Sequence, residues 1–214
     1  MISKIFTTKH VSRKSRASIA GAGFTLIETL VAVLILTTAV AAPLTVASRG
    51  LLTSLVAKDQ ITAYYLAQDA VEYIRFKRDT ACLPLSTAAV PQPCNSSTWL
   101  SGIGGSSGPG GCESTYGCIL DSTGNNTSGG HDIDPCTSGV GSLCTTPLLF
   151  SSSLNRFTYD STLVPTPVQT IFTRTVKLSA ISQTEEKVTV TVAWFDLGGT
   201  TRQVVISEDL FNWE

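Results

Sequence analysis

From Thr29 to Ser48 the chain runs twenty residues without a charged side chain, and Glu28 stands at the head of that run. As a helix rising about 1.5 Å per residue, the run spans about 30 Å, the thickness of a bilayer's hydrocarbon core. Beyond it, Gly50 to Arg78 changes character. Val56, Ala63, Ala67, Val71 and Ile74 recur near helical spacing, while Lys58, Asp59, Asp69 and Glu72 fall elsewhere around the axis. Residues 24–80 hold one glycine, Gly50, and one proline, Pro43, so the pattern predicts one long helix. Its halves suit different surroundings: the first seeks lipid, the second a sheet to lie on. Arg75, Lys77 and Arg78 near its end suit the negative pole of the helix dipole.

Period-two patterns predict that sheet. Phe172, Val176, Leu178 and Ala180 alternate with Thr173, Thr175, Lys177 and Ser179. Val188, Val190, Val192 and Trp194 alternate with Lys187, Thr189, Thr191 and Ala193, and Gly198-Gly199 turns the chain into Thr201–Ser207, where Arg202, Val204 and Ile206 share a face. Two or three antiparallel strands with one apolar face need a cover, and the amphipathic helix supplies it. The expected fold class is α+β, with a long N-terminal helix.

Between helix and strands the composition shifts. Twelve glycines fall between Gly102 and Gly141, among repeated Ser, Pro, Thr and Asn, so 81–150 is expected to be irregular. All six cysteines lie there: Cys82, Cys94, Cys112, Cys118, Cys136 and Cys144. An even number with no C-x-x-C pair reads as disulfides in an oxidising compartment rather than as a zinc or redox site. Fifteen pairings are open; short loops favour the sequential one. The organisation is therefore 1–23, a basic leader; 24–48, a membrane-length helix; 49–80, its amphipathic half; 81–150, irregular and cysteine-rich; and 151–214, strands.

Charge sharpens the first boundary. Residues 1–23 carry Lys4, Lys9, Arg13, Lys14 and Arg16 and no acid, leaving 10 basic against 16 acidic residues in the remainder. A net −6 body offers no nucleic-acid groove. A basic leader before an apolar run fits a secretory signal cut after Ala41, within Ala39-Val40-Ala41, which would release a disulfide-stapled binding domain. It also fits a simple membrane anchor with the leader in the cytoplasm.

A third reading explains more residues. Gly23-Phe24-Thr25-Leu26-Ile27-Glu28 resembles the processing site of type IV prepilins and type II secretion pseudopilins. Tyr64 to Arg75, Y-Y-L-A-Q-D-A-V-E-Y-I-R, is similar to the corresponding stretch of PilV-type minor pilins and I-type pseudopilins. The resemblance covers about residues 17–78. It implies a pilin-like fold and cleavage after Gly23 by a membrane prepilin peptidase. It further implies N-methylation of Phe24, retention of the apolar run in the cytoplasmic (inner) membrane, and assembly with other pilin or pseudopilin subunits through a membrane platform. It implies no enzyme activity and no cofactor. Glu28 would then pair with a neighbour's Phe24 amine and select the register, beyond simply capping its own helix. Pro43, lacking an amide hydrogen, is expected to kink or loosen the helix.

Other patterns carry less. Gly104 to Gly108 satisfies G-x-S-x-G, but no strand precedes it and the only histidines are His10 and His131. His131-Asp132-Ile133-Asp134 reads as a turn held by Asp side chains before it reads as a calcium loop. Asn95 and Asn125 open glycosylation-type triplets by chance. Trp194 is expected in the core; Trp99 and Tyr116 are aromatic candidates for a partner surface.

Overall fold

The computed structural model describes residues 23–81, 99–100, 102–103, 111–123, 132–137, 142–196 and 198–212. The leader up to residue 22, Cys82, Cys94, Asn95, Gly104 to Gly108, Asn125 and His131 lie outside the described residues. The chain divides into two compact units, Met1–Leu51 and Leu52–Glu214.

One helix, α1 (Leu26–Ala81), contributes to both. In the first unit its large apolar side chains, Leu30, Val33, Leu34, Leu36, Val40 and Leu44 among them, are exposed all round the axis. By length and composition α1 can cross a membrane.

In the second unit Ala63, Leu66, Ala67, Ala70, Val71 and Ile74 turn inward, and they join Val176, Leu178, Val188, Val190, Val192, Trp194 and Leu210 in one core. Ala63, Ala67 and Ala70 alternate with the larger Leu66, Val71 and Ile74 along the buried stripe that covers the sheet. Burial of each large side chain stabilises by about 1.5–3 kcal/mol.

The main sheet is antiparallel. Strands β1 (Cys118–Leu120), β2 (Ile133–Pro135), β6 (Thr173–Ser182), β7 (Glu185–Phe195) and β8 (Thr201–Phe211) lie in the order β2-β1-β6-β7-β8. The three long strands carry the predicted alternation: Val176 opposes Val190 and Val192 opposes Val204. Arg202 sits at the outer end of β8, where it pairs with Asp196 of the preceding turn rather than entering the core. A second sheet, β4 (Arg156–Thr158), β3 (Leu149–Ser151) and β5 (Val168–Gln169), has the order β4-β3-β5.

The expectation that 81–150 is irregular needs correction. Cys118-Ile119-Leu120 is an apolar triplet between Gly117 and Asp121, and it pairs with β6 at Val176. Gly117 makes this possible. Its φ is +79°, and a Cβ there would meet the Val176 carbonyl oxygen at 2.4 Å. Glycine density signalled a tight turn into a strand as well as loop.

Candidate functional site

Gly23, Phe24 and Thr25 precede the helix in non-helical backbone, and α1 starts at Leu26. A Cβ at Gly23 would meet nothing within 4 Å, so its own surroundings impose no need for glycine. Phe24 and Leu26 are 77% and 78% exposed. Thr25 is the N-cap. The Glu28 amide donates to the Thr25 carbonyl at 3.0 Å and to Thr25 Oγ1 at 3.3 Å. Thr25-x-x-Glu28 is thus capping-box spacing, and a carboxylate in the first turn is favoured by the dipole by about 0.3–1 kcal/mol. The cap uses the Glu28 backbone. Among the described residues its carboxylate has no hydrogen-bond or ion-pair partner.

Each hydroxyl in the uncharged run is satisfied by its own helix. Thr29 donates to Leu26 O at 2.8 Å, Thr37 to Leu34 O at 3.0 Å, Thr38 to Leu34 and Ile35 O at 3.0 Å, Thr45 to Ala41 O at 2.9 Å and Ser48 to Thr45 O at 2.9 Å. An unsatisfied donor costs several kcal/mol in hydrocarbon, and these bonds remove that cost. The helix is continuous across Pro43, so the proline is carried inside it. It leaves the Ala39 carbonyl without its usual amide donor.

In the second unit a charged side chain organises the helix–sheet contact. Arg174, on the inward face of β6, is 1% exposed. Its Nη1 donates to Leu66 O and Asp69 Oδ2, both at 2.9 Å, and its Nη2 to Leu120 O at 2.6 Å. One guanidinium therefore ties α1, β1 and β6 together. Asp69, assigned to the helix surface from its spacing, is the counter-charge and also accepts from Ser122. The signal for Arg174 was available: it interrupts the apolar face of Phe172, Val176 and Leu178. An arginine that falls on a buried face needs partners from other segments, and the pattern of one strand does not name them.

A second polar knot joins the two sheets. Asp121, 1% exposed, accepts from Thr123 N and Oγ1 at 2.8 and 2.6 Å, Thr158 Oγ1 at 2.7 Å and Tyr159 N at 2.6 Å. Tyr159 in turn donates to the Arg174 carbonyl at 3.2 Å, and burial pushes its phenol up to about 12.

At the end of α1 the basic residues act through specific partners as well as the dipole. Arg75 bridges Glu72 and Glu208, Lys77 pairs with Asp132, and Arg78 with Asp79. Tyr73 also donates to Asp132 at 2.6 Å. Burial by itself would raise Asp132, but the bonds from Lys77 and Tyr73 outweigh it and hold the carboxyl below its ordinary value. Asp132 is thus a structural anchor for α1, and among the described residues no cluster of three His, Cys, Asp or Glu side chains is placed to hold a metal.

Cys112 bonds Cys118 and Cys136 bonds Cys144, as sequential pairing expects. Trp194 is buried against Phe172, ring centroids 5.9 Å apart. Trp99, at 4% exposure, belongs to the core and not to a surface; Tyr116 is exposed. Comparison with family models, curated proteins and solved structures returns no match.

Proposed function

We propose that this chain is a minor pilin or pseudopilin subunit, cut after Gly23, methylated at Phe24 and assembled into a type IV pilus or a type II secretion pseudopilus. The observation that carries the proposal is the arrangement from Gly23 to Ser48. An exposed, non-helical Gly23-Phe24 pair precedes a capped helix start. A carboxylate without a partner among the described residues follows one turn in, and then a membrane-length run whose hydroxyls are all internally bonded.

The role of Glu28 follows from electrostatics. Helices bundled in a fibre create a low-dielectric interior, where a lone carboxylate costs several kcal/mol. The free amine made by cleavage before Phe24 offsets that cost when a neighbouring subunit brings it to Glu28. A stagger shifted by one helical turn, about 5.4 Å, loses the pair. The charge selects register while the apolar side chains supply the attraction. The prepilin peptidase, the assembly platform and other subunits are the partners this requires; the chain itself performs no chemistry.

The test is Glu28→Ala in the full chain, with Gly23 intact. Intact mass and N-terminal sequencing should show a mature protein that begins at methylated Phe24, with much reduced recovery in sheared fibres. Unchanged incorporation would remove Glu28 from assembly. A mature protein beginning at Ala42 would instead establish the secreted, disulfide-stapled domain.

A further inference from the structure

A pocket of about 340 Å³ opens between α1 and β4, the outer strand of the second sheet. Tyr65, Leu66 and Asp69 line it from the helix, and Asn155, Arg156 and Phe157 from the β3–β4 turn and β4. Its volume lies near the lower end of the roughly 300–1,000 Å³ of small-molecule sites. All of these residues belong to the second unit, so the site lies within one compact body.

The polar side chains of the lining keep hydrogen-bonding capacity that the fold does not use. Asp69 accepts from Arg174 Nη1 at 2.9 Å and from Ser122 Oγ at 3.3 Å, both on Oδ2, and its Oδ1 has no partner among the described residues. Among those residues the Asn155 amide, the Arg156 guanidinium and the Tyr65 hydroxyl have none either. Asn155 sits at the turn with φ 51°, a left-handed conformation that asparagine tolerates better than most residues.

Asp69 and Arg156 border one pocket without pairing with each other, and their charges do not simply cancel. Asp69 is already balanced by the buried Arg174, so Arg156 leaves the site with a surplus of positive charge. The rest of the lining is apolar or aromatic. Leu66 is buried, Phe157 is half-buried and edge-on to Phe150 with ring centroids 5.4 Å apart, and the Tyr65 ring is 65% exposed.

We propose that this pocket binds an acidic sugar residue, a hexuronate ring that is free or carried on a polysaccharide. Its carboxylate meets the Arg156 guanidinium, whose planar fork suits two oxygens at once. Its hydroxyls, each donor and acceptor, serve Asp69 Oδ1, which only accepts, and the Asn155 amide, which does both. Its C–H face packs on the rings of Tyr65 and Phe157. A peptide C-terminus is the competing occupant: it brings a carboxylate for Arg156 but a single amide donor beside it, which leaves Asn155 or Asp69 unmatched. A neutral sugar matches the hydroxyl partners and leaves Arg156 to water. The site is independent of Gly23, Phe24 and Glu28, and stands whether or not the chain enters a fibre.

Saturation-transfer NMR titration of the full chain in detergent micelles tests this, with D-glucuronate, D-glucose and alanyl-phenylalanine as probes. Glucuronate should bind about tenfold or more tightly than glucose, the effect of one charge-assisted pair. Arg156→Gln should bring glucuronate to the level of glucose, and Arg156→Lys should restore part of the difference. Tyr65→Ala should weaken both sugars alike by about fivefold, since the ring packs on the C–H face in either case. Both positions are exposed, so the melting temperature should stay unchanged in all three variants. Competition by an oligoglucuronate for the same residues supports a polysaccharide source, and binding of the free sugar alone supports a soluble one. Equal binding of glucuronate and glucose, glucuronate binding that survives Arg156→Gln, or binding of neither sugar overturns the proposal. Tighter binding of alanyl-phenylalanine than of glucuronate overturns it in favour of a peptide terminus.

Discussion

Replacing Arg174 with methionine tests whether one buried guanidinium holds α1 onto the sheet. The substitution keeps much of the side chain's apolar stem and removes three hydrogen bonds, to Leu66 O, Asp69 and Leu120 O. Asp69 is 47% exposed and can return to water, so its loss is small. The Leu66 carbonyl is mid-helix and keeps its own helical donor. The Leu120 carbonyl, at the end of a three-residue strand, has no such reserve, and a buried orphaned acceptor costs about 1–3 kcal/mol. Adding the weakened Leu66 contact gives about 2–4 kcal/mol, a large share of the 5–15 kcal/mol typical of a domain. For a unit the size of Leu52–Glu214, at about 2–4 °C per kcal/mol, the melting temperature should fall by about 10 °C. Near-UV circular dichroism of the full chain in detergent, followed against temperature, measures this through Trp194 and Tyr159. Asp69→Asn should cost less than half as much. A loss under about 1 kcal/mol in Arg174→Met would refute the clamp: the helix would then be held by its apolar face alone.

Asp121→Asn places an amide where all four incoming groups are donors, so it should destabilise the second unit by about 2–3 kcal/mol, measured by chemical denaturation, while Asp121→Glu should be no better. Gly117→Ala combines a φ of +79° with a Cβ pressed onto the Val176 carbonyl. It should cost about 2 kcal/mol or more and slow formation of the Cys112–Cys118 bond, followed by thiol trapping during oxidative refolding.

The sequence carried the large elements because each has a periodic signal that needs no partner to be read. Twenty uncharged residues specify a helix that can span a membrane whatever follows it. Strict alternation at 172–180 and 187–194 specifies strands with one buried face, and the spacing of Ala63, Ala67, Val71 and Ile74 marks the helical stripe that covers them. The α+β arrangement follows from matching those two faces. The helix start beside Gly23, Phe24 and Glu28 was likewise legible.

Tertiary structure decided what depends on residues far apart in the chain. Strand β1 is three residues long, too short for a period, and exists because β6 offers an edge and Gly117 permits the approach. Arg174 and Asp121 are polar residues whose burial is tolerable only because donors and acceptors arrive from 37 to 108 positions away. Glu186 occupies an apolar position in the alternation of β7, yet only the packed sheet reveals that its carboxylate is buried and short of partners. Local physics chose the helices and long strands; the desolvation of a few polar groups, settled only when distant segments met, chose how they lock together.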